Sequence, residues 1–225
     1  MYVSVINMIK KFKKRKFQYK TETLNMILAK QGVSFLKAFK INTKILRKKK
    51  YKIILADPPW RYGDVNTGGN FKSGSANHYL TMSMAEIENV LLTVKKADNC
   101  VLFMWSTFPM LPDALEIMKH SGFKFKTVAF TWVKKTVNGK DVFGMGRWTR
   151  GNPEICLLGI IGKPKAIDHS IPNLTYAEVG RHSQKPKIFY EKIEKLCGKL
   201  PRIELFARNT RKGWAAFGDE VGLTH

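Results

Sequence analysis

Cysteine, long apolar runs and metal-ligand spacings are all scarce in this sequence. Cys100, Cys156 and Cys197 are odd in number and widely spaced, which excludes a disulfide framework and a zinc site and predicts buried thiols in a reducing cytosol. The five histidines show no ligand spacing either, so no metal is expected. Apolar stretches such as Ile155–Ile161 are far too short to span a bilayer, and no membrane partner is expected.

Acidic residues are nearly absent from the first fifth of the chain. Residues 1–50 contain 15 Lys or Arg against the single acid Glu22, which is more than half of the net charge of +23. The densest clusters are Lys10–Lys16 and Arg47–Lys50. Such clustering favours nucleic acid as the partner, although a charge run can also simply keep a surface solvated. We therefore divide the chain into a basic extension, residues 1–50, and a domain, residues 51–225.

The segment Tyr51–Trp60, YKIILADPPW, is the centre of the sequence. Its short apolar run predicts a buried strand, and two consecutive prolines end that strand because proline cannot continue a β-ladder. Asp57 is then placed at the carboxyl end of the strand, which is the edge of an open α/β sheet where ligands bind.

This strand end has the chemistry to hold an exocyclic amine. The Asp57 carboxylate and the rigid Pro58 carbonyl are two acceptors for an NH2 group, and Trp60 offers a flat face for stacking a base. Holding both hydrogens of a purine amine frees its lone pair for attack. The alternative is that Asp57–Pro59 is only a strand-ending turn and Trp60 a core aromatic.

Apolar strands and amphipathic helices alternate along the rest of the chain, which predicts a doubly wound α/β sheet. Ser83 and Glu86 form a capping box that predicts a helix to about Lys96, and Gly162–Ala177 is expected to be a surface loop. The remaining elements are strands at Cys100–Ser106, Lys126–Lys134, Ile155–Ile161, Leu200–Ala207 and Trp214–Phe217, and helices at Pro112–Ser121 and Pro186–Cys197.

Two long glycine-containing loops are candidates for function. Arg61–His78 directly follows the Asp-Pro-Pro-Trp segment, and loops of this length in a compact domain are usually functional or disordered. Asn138–Pro153 places Arg147, Trp148 and Arg150 among glycines, a mixture that suits contact with nucleic acid. An ordinary hairpin connection is the alternative for this second loop.

Six separate blocks carry a resemblance to a known family. Between Lys52 and Val221 the chain resembles the adenine-N6 methyltransferase family of the eukaryotic messenger-RNA adenosine methylase catalytic subunit, which has many bacterial and phage members. The blocks are Ala56–Trp60, Tyr79 with Thr81-Met82-Ser83, Val101–Trp105, Gly146 and Trp148 with Glu154, His182-Ser183 with Lys185-Pro186, and Glu204–Phe206 with Arg208.

The resemblance implies a Rossmann-like methyltransferase sheet with permuted motif order, because the catalytic strand precedes the cofactor strand. It implies S-adenosylmethionine as cofactor and the N6 amine of adenine in DNA as acceptor. RNA as substrate, or a catalytically silent nucleic-acid-binding subunit, are the alternatives. A bacterial or phage-infected cytoplasm is expected, and a homodimer is left open.

Site residues follow from the resemblance by position. The catalytic group is Asp57, Pro58, Pro59 and Trp60. The cofactor group is Asp57, Lys185, Arg208, Asn209, Asp219 and Glu220, with Lys185 expected to pair with the methionine carboxylate. The substrate group is Tyr79, Arg147, Trp148, Arg150 and Glu154. One departure from the general methyltransferase pattern is that no Gly-x-Gly follows Phe206.

Overall fold

Seven strands build one sheet in the computed structural model, which describes residues 44–61, 81–144, 148–180, 184–218 and 221. The strands are β1 (Tyr51–Ala56), β2 (Lys96–Ser106), β3 (Lys124–Lys135), β4 (Glu154–Ile161), β5 (Leu174–Glu178), β6 (Arg202–Leu205) and β7 (Ala215–Phe217). The helices are α1 (Lys44–Arg47), α2 (Met84–Thr93), α3 (Leu111–His120) and α4 (Lys187–Cys197), with a 3-10 turn at Phe108–Met110.

The strand order is β5-β3-β4-β2-β1-β6-β7, and among the described strands β4 alone runs antiparallel to its neighbours. From β1 the chain continues to β2 on one side, whereas from β6 it continues to β7 on the other. The winding therefore reverses between β1 and β6, which is the position where doubly wound sheets bind ligands. The prediction of a doubly wound, Rossmann-like sheet with permuted order is confirmed.

Side chains of β1 are buried on both faces of the sheet. Ile54 packs in the cluster that contains Ile87 of α2 and Ile117 of α3, whereas Ile53 packs in the cluster that contains Phe189 of α4. Alternate residues of a strand point to opposite faces, so covering both faces with helices requires an uninterrupted apolar run. This burial explains the pattern by which β1 was predicted.

The two helix starts nearest the site begin where local signals predict. The Ser83 hydroxyl accepts from the Glu86 N–H, and the Glu86 carboxylate accepts from the Ser83 N–H at 2.8 Å, which completes the capping box of α2. This helix ends at Thr93, earlier than predicted, because the chain enters β2 at Lys96. Pro186 is the N-cap of α4, so Lys185 immediately precedes that helix.

Two features near the sheet differ from expectation. The stretch expected to be loop contains β5, an edge strand that pairs with β3 and leaves Leu174 and Tyr176 exposed. The second feature lies in the segment assigned to the basic extension. Leu46 of α1 is fully buried, and its carbonyl accepts from the Lys95 N–H at 2.9 Å. Packing of the domain thus begins before residue 51, while residues 1–43 lie outside the described part of the chain.

Buried cysteines agree with the sequence analysis, since Cys100, Cys156 and Cys197 are free thiols in the core. In the described ranges, no helix has the length and apolar character needed to cross a membrane.

Candidate active site

The segment after β1 is a tight turn held by backbone hydrogen bonds. The Asp57 N–H donates to the Leu205 carbonyl of β6 at 3.5 Å, and the Trp60 N–H donates to the Pro58 carbonyl at 2.9 Å. The Pro59 carbonyl in turn accepts from the Met82 N–H at 2.9 Å. Since a carbonyl oxygen has two lone pairs, Pro58 retains one with which to accept a further hydrogen.

Trp60 is a core residue in this structure. It is 7% exposed, it belongs to the cluster beneath the turn, and its indole N–H donates to the Trp105 carbonyl at 3.2 Å. The expectation that Trp60 presents an open face for stacking is therefore corrected. Its visible contribution is to tie the Asp57–Pro59 turn to the end of β2.

Four charged side chains of alternating sign form a network beside the turn. The Lys185 ammonium lies 2.7 and 2.8 Å from the two carboxylate oxygens of Asp57 and 3.2 Å from Glu154 Oε2. The other Glu154 oxygen lies 2.6 Å from the Lys134 ammonium. Lys185 also lies over the Trp105 ring, 5.4 Å from its centroid.

The residues of the network come from four elements that meet at one edge of the sheet. Asp57 follows β1 and Lys185 precedes α4, while Glu154 is the first residue of β4. Lys134 lies on the paired strand β3, where Trp132 is opposite Glu154. Because β4 runs antiparallel to β1 and β3, its first residue reaches the edge where their last residues lie.

Burial and neighbouring charges shift the pKa values of this network in different directions. Burial raises the pKa of the Asp57 carboxyl above its usual value, although the Lys185 ammonium opposes this. Burial alone would raise the pKa of Glu154 too, but Lys185 and Lys134 outweigh it and hold that pKa below its usual value. Burial disfavours charge on Lys185, yet two carboxylates raise its pKa.

A solvent-open cleft adjoins the network at the reversal point between β1 and β6. Asp57 and Lys185 form one wall, and the loop after β6 forms the other. Its lining residues are Asp57, Gln184, Lys185, Tyr190, Glu204, Phe206, Arg208, Asn209, Thr210 and Arg211. The structure thus brings together four of the six predicted cofactor residues, while Asp219 and Glu220 lie outside the described residues.

Two charged residues of this region, Glu204 and Lys134, are not among the site residues predicted from the sequence. Glu204 lines the cleft, where it accepts the Tyr190 hydroxyl hydrogen at 2.7 Å, and burial raises the pKa of its carboxyl. Lys134 holds Glu154, as described above. Glu204 stood within a recognised block, but Lys134 had no sequence signal, because its role depends on the pairing of β3 with β4.

The turn after β6 reaches the cleft without the usual glycines. Phe206 has φ 62°, a left-handed conformation that costs a non-glycine residue of order 1–2 kcal/mol. Ala207 follows Phe206 in this turn. Gly218 packs so closely against Ala207 that an added Cβ would lie 1.9 Å from the Ala207 carbonyl oxygen. The close approach that a Gly-x-Gly turn normally permits is here achieved by a strained phenylalanine and a glycine from another strand end.

The second long loop presents large apolar side chains to solvent. Trp148 is 98% exposed, and Phe143 is about half exposed. The base of the loop is anchored because the Asn152 amide bonds both backbone groups of Lys134, at 2.8 and 2.9 Å. Arg150 is exposed on the same loop. Tyr79 and Arg147, predicted alongside them, lie outside the described residues.

Comparison with known proteins places the chain in a family. Residues 51–220 match the MT-A70 family. The type II methyltransferase M.MunI of Mycoplasma sp is 34% identical over 211 residues, covering 82% of this chain and 88% of its own. The human N(6)-adenosine-methyltransferase catalytic subunit METTL3 is 28% identical over 182 residues, 78% of this chain, and an MT-A70-like N(6)-adenosine-methyltransferase of Arabidopsis thaliana is 27% identical over 176 residues, 76% of this chain.

These relatives differ in how much of their own length this chain covers. This chain spans 29% of the human protein and 24% of the Arabidopsis protein, so it corresponds to only part of each. The family match covers most of the chain and includes all six motif blocks quoted above. The chain therefore belongs to the MT-A70 family, the adenine-N6 methyltransferase family that its motif blocks predict.

Proposed function

We propose that this chain transfers a methyl group from S-adenosylmethionine to the N6 amine of adenine in DNA. The observation that carries the proposal is the position of Asp57. Its carboxylate stands at the mouth of the β1–β6 crevice, on a turn stiffened by two prolines and directly beside the cleft. An amine acceptor and a cofactor cleft are therefore adjacent.

The cleft has the charge to hold S-adenosylmethionine. It is open to solvent, and Lys185 and Arg208 offer cations while Asp57 and Glu204 offer carboxylates. A zwitterionic amino-acid moiety and a ribose complement such a lining. In the proposal Asp57, Lys185, Arg208 and Asn209 hold the cofactor, together with Asp219 and Glu220. When bound, it supplies a methyl group activated by a sulfonium.

The protein activates the amine by orienting it. A carboxylate can accept about four hydrogen bonds, so Asp57 can keep Lys185 while it accepts one N6 hydrogen, and the free lone pair of Pro58 accepts the other. Held in this way, the nitrogen lone pair would be available to the methyl group that S-adenosylmethionine would supply from the adjoining cleft. No covalent enzyme intermediate is needed, since the amine is itself the nucleophile, and positioning supplies much of the rate.

Glu154 and Trp60 take supporting parts in this proposal. Both carboxylate oxygens of Glu154 face lysines, so this residue holds Lys185 in place beneath Asp57. Trp60 anchors the turn from the core. Enclosure of the base is left to Tyr79 and to the loop that carries Arg147, Trp148 and Arg150. The exposed Trp148 is suited to stacking, and a base removed from its helix would be the substrate.

One observation supports DNA rather than RNA. The chain matches the Mycoplasma relative, named a type II methyltransferase, over most of both lengths, whereas it spans less than a third of the relatives named for adenosine. The net charge of +23 suits either polyanion. An RNA adenine methyltransferase is the second candidate, and the intact Asp57–Trp60 turn argues against a silent binding subunit.

Incubation of the purified chain with S-adenosylmethionine and matched DNA or RNA oligonucleotides tests the proposal. The products are digested, and N6-methyladenine is quantified by mass spectrometry. We expect N6-methyladenine in DNA, and its loss in the Asp57→Asn variant. Product in RNA alone would overturn the choice of DNA, and no product in either would overturn the activity.

A further inference from the structure

Basic residues gather at the edge of the sheet opposite the active site. Lys48 and Lys49 precede β1, Lys95 precedes β2, and Lys124 begins β3. Lys163 follows β4, which runs the other way, and Lys199 precedes β6. All six are exposed. Together they define the amino-edge surface.

Backbone pairing holds these residues at one edge. The Tyr51 N–H donates to the Lys95 carbonyl at 2.9 Å, and the Lys52 N–H donates to the Pro201 carbonyl, two residues after Lys199, at 2.8 Å. The Lys163 N–H donates to the Asn99 side chain at 2.7 Å, which ties the end of β4 to the start of β2. The cluster is therefore a property of the sheet and not of one run of sequence.

Carboxylates at this edge are few and already engaged. Asp98 contacts the Lys50 ammonium at 3.1 Å, and Asp168 accepts hydrogen bonds from the backbone and hydroxyl of Ser170. Glu194, at the end of α4, pairs with the buried Arg202 at 3.1 Å. The acids of the described residues consequently leave a strong excess of positive charge on this surface.

The distance to the active site decides what the amino-edge surface can do. β1 has six residues, and at about 3.3 Å per residue it separates the surface from Asp57 by roughly 20 Å. Side chains there cannot touch a base held at Asp57. They can contact only phosphates of a distant part of the same nucleic acid, which gives affinity without sequence information.

We infer that the amino-edge surface is a second nucleic-acid-binding site, separate from the active site, that binds the phosphate backbone of flanking substrate. The inference rests on the proposal that the substrate is nucleic acid. Residues 1–43, whose sequence contains ten Lys or Arg against one acid, join the described domain at Lys44 on this same edge. The continuity of charge from sequence to surface favours a long polyanion over a small anion.

The test neutralises one lysine beside each of the strands β1, β2, β4 and β6 in the full chain, as K48Q, K95Q, K163Q and K199Q combined. The matched control carries arginine at the same four positions and keeps the charge. Binding is titrated across a salt series with duplexes of about 8 and about 40 base pairs. With the adenine at its centre, the short duplex extends only about 14 Å to either side and does not reach the surface.

On the long duplex we expect the glutamine variant to bind at least about tenfold more weakly at low salt, and its log–log salt slope to fall by up to about 3.6. Binding of the short duplex, kcat at saturating DNA and all properties of the arginine variant stay unchanged.

An unchanged slope, or equal losses on both duplexes, overturns the inference. So does loss of binding to phosphatidylglycerol vesicles without loss of DNA binding, which would assign the surface to a membrane. The titrations need no turnover. If the long duplex binds as expected but no adenine is methylated, the proposed activity is refuted and the inference about the amino-edge surface stands.

Discussion

The carboxylate of Asp57 and the ammonium of Lys185 lie 2.7 Å apart, although 128 residues separate them in the chain. One residue ends β1 and the other precedes α4, and both face the crevice where the winding of the sheet reverses. Their pairing compensates a buried ammonium with a partly exposed carboxylate at the point where an amine and a cofactor are proposed to meet.

Replacing Asp57 by alanine should abolish most of the methyl transfer. The variant loses the acceptor that orients the N6 amine, and loss of one preorganised group costs about 3–4 kcal/mol of transition-state stabilisation. Single-turnover transfer measures this effect, and calorimetry with S-adenosylmethionine should show a smaller loss of affinity, because the other residues proposed to hold the cofactor remain. A variant that keeps half of the wild-type rate would contradict the assignment.

Replacing Lys185 by methionine should weaken cofactor binding by about 1.5–3 kcal/mol, the usual value for a charge-assisted hydrogen bond. Lys187→Met is the matched control, because this lysine stands two residues away but is 76% exposed and pairs with Glu191. Calorimetry should find wild-type affinity in the control. Equal affinities of the Lys185→Met and Lys187→Met variants for S-adenosylmethionine would place its methionine carboxylate away from Lys185. Calorimetry of the Glu220→Ala variant tests the proposed contact with the ribose in the same way.

The pKa of Glu154 makes its contribution to stability depend on pH. Because the pKa in the folded protein is held below the usual 4.5, the carboxylate stabilises the fold above that pH, and the contribution is lost as pH falls through the folded pKa. Glu154→Gln should therefore cost about 3 kcal/mol at neutral pH, the low end for breaking a buried ion pair. Urea unfolding at several pH values should show this gap shrinking below pH 4.5; a constant gap would contradict it.

Trp148→Ala should weaken oligonucleotide binding by about 1–3 kcal/mol if the exposed indole stacks on a base. The fold should be unaffected, since the side chain is 98% exposed. Trp148→Phe keeps an aromatic face and serves as the control, with most of the affinity retained in fluorescence titrations. If phenylalanine and alanine weaken binding equally, stacking is not the interaction.

Gly218→Ala should destabilise the protein by about 1–3 kcal/mol, the usual cost of overpacking, because the new Cβ would lie 1.9 Å from the Ala207 carbonyl oxygen. Gly151→Ala is the control, since an added Cβ there meets no atom within 4 Å. Thermal unfolding compares the two. Wild-type stability of Gly218→Ala would mean that the β6–β7 contact is looser than the structure shows.

Local signals in the sequence determined the elements that frame the site. The apolar run and the two prolines predicted the end of β1, the Ser83–Glu86 pair predicted the start of α2, and Pro186 placed Lys185 before α4. Each of these depends on backbone restrictions or hydrogen bonds within a few residues, so the chain itself specifies them. The family blocks added which of these residues to regard as the site.

Tertiary structure alone decided which partners those residues have. The sequence could not show that Lys134 holds Glu154, that Trp60 is buried against β2, or that β5 pairs with β3, since strand register and helix packing set those contacts. The same is true of the basic residues from separate strands that meet opposite Asp57. Such contacts depend on the balance of burial and pairing across the whole sheet, which no short stretch of sequence carries.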